Sequence, residues 1–239
     1  MGFAFFSILF YLISVLMIAP SLAADKTVRR PRKTPFFLTA LLAIVLHIAS
    51  LYPALQGLAS DHTFTLVEIS SLMSVSSTAL VTLAMPAVSS IWFLLPIVFA
   101  FSIFNLILAT FMPSHMIQLL NQDSAMLFHI GLSIFTYAVC FIAMLYAIQI
   151  AWIDRTLKSK KTAFSPVMPS LMMAERHFSR LFAAGELLLT FTLISGIYHS
   201  VHAMNAENIH KALFSFFAWI VTLGQDLPLQ TDTPKVMTL

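Results

Sequence analysis

The chain has 239 residues, of which 59% are hydrophobic and 10% charged, with a formal net charge of +3. Soluble domains average about 45–50% apolar and about 25% charged, and a chain with a mean hydropathy of +0.89 could not clothe such a core in polar surface. Composition therefore excludes a water-soluble globule and predicts an all-α, polytopic transmembrane helix bundle of about seven spans, with lipid as its solvent and no nucleic-acid partner.

Gly2 to Ala24 is the first apolar run. Its SLAA ending resembles a signal-cleavage site, but the basic n-region is absent, and Lys26, Arg29, Arg30, Arg32 and Lys33 follow the run instead. An uncleaved first helix with its N-terminus outside is expected. Phe36 to about Leu55 is the second span and carries His47. Phe64 to about Ala84 is the third, with Glu68 near its start and Pro86 at its end. Its Ser70, Ser71, Ser74, Ser76 and Ser77 are small residues of the kind that let membrane helices approach closely. Ile91 to Met112 is the fourth, with Pro96 predicting a kink, Asn105 in mid-span and Pro113 as the stop.

The fifth span is the clearest. Met126 to Trp152 runs for 27 residues without Asp, Glu, Lys or Arg, long enough to cross a bilayer with some tilt. Leu181 to about His202 is the sixth. Ile209 to Leu223 is the seventh, and its 15 residues make about 22 Å of helix against a hydrocarbon core of about 30 Å. The expected division is a membrane domain over 1–224 and a polar, Pro-containing, disordered tail over 225–239. Cys140 is the lone cysteine. It excludes intrachain disulfides and thiol-exchange pairs, and it reads as a small apolar filler in mid-span.

Charge sets the orientation. The loops at 25–35 and 154–180 hold 11 of the 13 Lys and Arg residues. The positive-inside rule places both loops in the cytoplasm and the N-terminus outside. Seven of the eight histidines then fall on or near the outer leaflet. His62, His115 and His210 lie in outer loops or at their edges, and His177 alone lies in the cytoplasmic loop. His47 sits in the outer half of the second span and His129 one turn into the fifth. His199 and His202 share a face in the last turns of the sixth, at i and i+3.

An intramembrane histidine is costly unless it pairs, faces the bundle interior or binds something. Two readings stay open for each. Interfacial imidazoles can simply bond headgroups and water, which suits the outer loops best. Imidazoles at similar depth on two helices, as expected of His47 and His129, can instead hold a b-type haem by axial ligation. Glu68 reads as a snorkelling carboxylate or a partner for a histidine. Glu186 is expected near the cytoplasmic end of its helix, within reach of Arg180. Asn105 reads as interhelical glue. The chain has no GxSxG, P-loop, HExxH, Gly-rich dinucleotide turn or Asp/Glu pair within one span, which argues against an ordinary enzyme or a pump.

The blocks LLPIVFAFSIFNLILATFMP (94–113), MLFHIGLSIFTYAVCFIAMLYAIQIAWIDRTLKSKK (126–161), MPSLMMAERHFSRL (168–181) and NIHKALFSFFAWIV (208–221) resemble the cytochrome c assembly protein family, and more narrowly its inner-membrane, HemX-like branch. The resemblance implies a multi-pass, non-enzymatic protein of the bacterial inner membrane that handles haem. It implies that His129 occupies the family's outer haem-ligating position and that His47 matches the histidine of the second helix. Haem b, and proteins of cytochrome c biogenesis or haem synthesis, are the partners it suggests. Two departures stand out. The tryptophan-rich outer loop of the haem-delivery members reads YHSVHAMNAENIHK (198–211) here, without Trp. The family also continues into an eighth span where this chain stops matching near Thr222, as expected of a shortened reading frame. His47, His129, His199 and His202 are thus the candidate cofactor ligands, with no metal expected beyond haem iron. A regulatory role through the cytoplasmic loop 154–180, and metal sensing or small-ion transport through His199, His202 and Glu68, are the competing readings.

Overall fold

The computed structural model describes residues 2–22, 33–57, 66–111, 124–158, 170–200 and 213–224. They form α1 (Gly2–Leu22), α2 (Lys33–Ser50), the short α3 (Tyr52–Gly57), α4 (Leu66–Ala84), α5 (Leu95–Phe111), α6 (Ser124–Lys158), α7 (Leu171–Ser200) and α8 (Leu213–Gly224), with no strand among the described residues. In lipid every backbone N–H and C=O must be satisfied within its own segment, so near-continuous Leu, Phe, Ile and Ala runs take up the helix. Six helices are long and apolar enough to cross a membrane. The seventh expected span survives as α8, whose twelve residues make about 18 Å of helix. The protein is a polytopic helical bundle.

Small and polar residues decide which faces turn inward. On α1 the buried positions are Ala4, Ser7, Tyr11, Ser14 and Ile18, spaced three and four apart along one stripe. On α2 they are Phe36, Ala40, Ala43, Ile44 and His47. The opposite faces present Phe5, Leu12, Leu16, Leu38 and Val45 outward, where hydrocarbon rather than water receives them. Helix α1 packs on α2 and α5, α2 on α4, and α4 on α5 and α6. Tyr11, Phe36, Trp92 and Phe99 fill the centre, with ring centroids 5.4 Å apart for Tyr11–Phe99 and 5.1 Å for Phe36–Trp92. Helix α7 packs chiefly along α6, and α8 reaches α7 through a Trp219 Nε1–H bond to Thr190 Oγ1 (2.9 Å).

Three expectations change. Pro96 makes no kink: it falls in the first turn of α5, after a 3₁₀ turn at Ser89–Phe93, where a missing N–H costs nothing. The sixth span begins at Leu171 rather than Leu181, because Glu175, Arg176 and Arg180 sit exposed on one side while Ala174 is buried on the other. His177 therefore belongs to a helix and not a loop, its ring 6.1 Å from that of Tyr146. For the same reason Glu186 lies midway along α7, and no ion pair with Arg180 forms among the described residues. The ion pair present there is the exposed Lys158–Asp154 contact (2.7 Å), of the i, i+4 type that adds little to stability.

Close approach of α6 and α7 depends on Gly185, where an added Cβ would lie 3.2 Å from Cys140 Sγ and 3.8 Å from Val139 Cγ1; at Gly131 it would meet nothing within 4 Å. Gly185→Leu should therefore wedge the pair apart and lower stability in detergent by about 1–3 kcal/mol. Gly131→Leu, measured in the same thermal unfolding assay, should leave the midpoint close to that of the parent.

Candidate functional site

Among the described residues two clusters of polar groups each hold one of the histidines singled out in the second and fifth spans. The first lies between α1, α2, α4 and α5. His47 is fully buried, with Nδ1 3.3 Å from Tyr11 Oη and Nε2 2.9 Å from Ser71 Oγ. A neutral imidazole accepts at one nitrogen and donates at the other, and a phenol plus a serine hydroxyl can satisfy both. Around this centre Ser7 donates to the Ala43 carbonyl (2.8 Å), Thr78 and Ser102 share a hydrogen bond (2.6 Å), and Ser102 reaches the Ser74 carbonyl (3.2 Å). Asn105, expected to bridge helices, donates instead to the Phe101 carbonyl of its own helix (2.8 Å). Thr78 and Ser102 make the bridge between α4 and α5.

The second cluster is the α6–α7 interface. His129 is half-buried near the outer end of α6, and its Nδ1 lies 2.8 Å from Ser195 Oγ on α7. The ring rests on Gly196, where a Cβ would come within 3.0 Å of His129 Cε1. Only glycine lets the imidazole lie that close to the helix backbone. About two turns inward along α6, Thr136 and Thr192 share a hydrogen bond (3.0 Å), and further in Cys140 meets Gly185. Glu186 follows Gly185 in the sequence, and its Oε1 is buried without a hydrogen-bond partner among the described residues.

The two histidines stand at different depths. Thr78 pairs with Ser102, and Phe101 lies 4.7 Å from Phe141, so α4, α5 and α6 share a level there. Ser71, which marks the level of His47, is seven residues outward of Thr78, or about 10 Å; His129 is twelve residues outward of Phe141, or about 18 Å. Two imidazoles on one iron must face each other across it, and separate clusters at separate depths do not present them that way. His199 follows Ser195 by four residues on α7, one turn nearer the outer surface. His62, His115, His202 and His210 lie outside the described residues. Glu68 occupies the first turn of α4, where a carboxylate suits the helix dipole.

A model of the cytochrome c assembly protein family matches residues 34–225. The chain belongs to that family. It is 39% identical over 220 residues to the inner membrane protein YpjD of Escherichia coli K12, covering 92% of this chain and 82% of the relative. The proteins of the same name from E. coli O6:H1 and O157:H7 match equally. No solved structure matches. This member of the family is a multi-pass inner-membrane protein. The matched region begins after α1, yet α1 supplies Tyr11 to the most buried histidine.

Sequence reasoning missed Tyr11, Ser195, Gly196 and the mid-helix position of Glu186. It also missed Gln149, whose two amide atoms, like Thr82 Oγ1, are buried without a partner among the described residues, toward the cytoplasmic ends of α6 and α4. Tyr11 had a signal in the Ser7–Tyr11–Ser14 spacing; Ser195 and Gly196 had none short of knowing that α6 and α7 pair.

Removal of the Tyr11 hydroxyl leaves a buried imidazole nitrogen unpaired. Tyr11→Phe should cost about 1 kcal/mol of stability. The same change in a His47→Leu background should cost measurably less, and a double-mutant cycle in detergent unfolding reads the difference.

Proposed function

We propose that this protein binds b-type haem at the outer face of the inner membrane, where His129 and a histidine from the outer end of α7 would hold the iron. Membership of a cytochrome c assembly family supports a haem-related role. The observation that carries the reading is the His129–Ser195–Gly196 arrangement. An imidazole whose Nδ1 lies 2.8 Å from a hydroxyl on the neighbouring helix has its ring position set, as ligating histidines generally do. His199, four residues past Ser195 in the sequence, and His202, seven past it, are the candidates for a second ligand.

Haem iron needs only one or two ligands from the protein, and His129 with a second histidine from the outer end of α7 would supply them. When bound, haem supplies the redox-active iron. The chain's own residues hold the ring: Ser195 orients His129, Gly196 lets it lie flat, and the apolar wall of α6 and α7 shields it. His47 enters this reading as a support, since Tyr11 and Ser71 engage both of its nitrogens and tie α1, α2 and α4 together. The partners implied are haem itself and proteins of cytochrome c biogenesis or haem synthesis.

Purified in detergent from haem-replete cells, the protein should show a Soret band and the reduced α-band of a b-type haem. His129→Ala should lose at least about nine-tenths of that haem while keeping its helical circular dichroism. A protein without a Soret band, or an unchanged spectrum in the folded His129→Ala variant, would overturn the proposal.

A further inference from the structure

We propose that the α6–α7 interface is a hydrated half-path, open to the outer face and closed at mid-bilayer, that brings water and small cations to Glu186. The inference does not depend on haem. It begins with the carboxyl itself: Glu186 lies at the midpoint of α7, following the Gly185 that meets Cys140 at the midpoint of α6, and its Oε1 is buried with no partner among the described residues. An acid at that depth, with an unpaired oxygen inside the protein, needs water, a cation or a donor to keep it there.

The residues on either side decide which way the path opens. Outward of Glu186 the interface presents one polar group per turn or so: Thr136 with Thr192, Ser133 with its hydroxyl half-buried, then Ser195 with His129 at the outer end. The other residues of both helices at this level are mainly Leu, Ile and Phe, with Tyr137 and Thr190 the further polar ones. Inward of Glu186, α7 turns apolar residues toward the bundle: Phe178 and Phe182 lie with centroids 5.5 Å apart, and Phe178 and Leu181 pack on the core. Arg180 is exposed, His177 sits over Tyr146, and Gln149 of α6 is the buried polar side chain on that side. The titratable groups along the path are therefore His129, Cys140 and Glu186, with Trp219 of α8 bonded to Thr190 on its flank. Such hydroxyls also serve as interhelical glue, since several bond their own backbone carbonyls. The orphaned carboxylate oxygen is what a dry seam leaves unexplained.

Cys140, the only cysteine in the chain, reports on the path without any substitution. In right-side-out membrane vesicles, a membrane-impermeant cationic methanethiosulfonate added outside should modify Cys140. The anionic reagent of similar size, each rate taken relative to that reagent's rate with a small free thiol, should react on the order of tenfold more slowly, because Glu186 follows the Gly185 that meets the thiol. Glu186→Gln should erase that charge preference, and Thr192→Val should slow both reagents. Modification only by an apolar, membrane-permeant maleimide, or by the impermeant reagents only from the cytoplasmic side, would overturn the half-path. Both results are read on the unaltered protein, so they stand even if a variant fails to fold.

Discussion

Hydrocarbon offers no hydrogen bond, and that constraint orders this bundle. Each side chain that brings a hydroxyl, imidazole or carboxyl into the membrane has to find its partner on its own backbone or on a neighbouring helix. Dispersion holds the apolar surfaces together nearly as well against lipid as against protein, so the polar contacts select which helices meet. Tyr11–His47–Ser71 selects α1, α2 and α4; Thr78–Ser102 selects α4 and α5; His129–Ser195 and Thr136–Thr192 select α6 and α7.

The outcome is a bundle with two polar centres of different character. The inner-lying one is saturated: His47 has both nitrogens engaged and no exposed surface, and its role is to fix helices. The outer one is less enclosed. His129 is only half-buried, has its Nδ1 against Ser195, and lies toward the outer ends of α6 and α7. Glycine at 196 and at 185 brings the two backbones close at both ends of that seam, so the hairpin forms a stiff platform. A ligand-binding group held on such a platform keeps its geometry without help from the loops around it.

Much of this was legible in the chain. The run Met126–Trp152 lies wholly within α6, and the serines of the third span do line its buried face, with Ser71, Ser74 and Ser77 fully covered. What misled was reading a span as the stretch free of charge. Arg176 and Arg180 keep their charges exposed while the backbone continues as helix beneath them, so α7 begins ten residues early and Glu186 moves from a helix end to its centre. Similar depth was assumed for His47 and His129 because each is a turn or two from a span end. The ends themselves do not line up, since α6 is 35 residues long and α2 is 18. Pairing is the part a single sequence withholds: nothing in the letters says that residue 129 meets residues 195 and 196.

The pairing can be measured directly. In a Cys140→Ala background, the variant with Thr136→Cys and Thr192→Cys should form an intrachain disulfide under mild oxidation, because the two hydroxyls lie 3.0 Å apart across the interface. A folded variant that does not cross-link, while His47→Cys and His129→Cys do cross-link, would contradict the division into two polar centres.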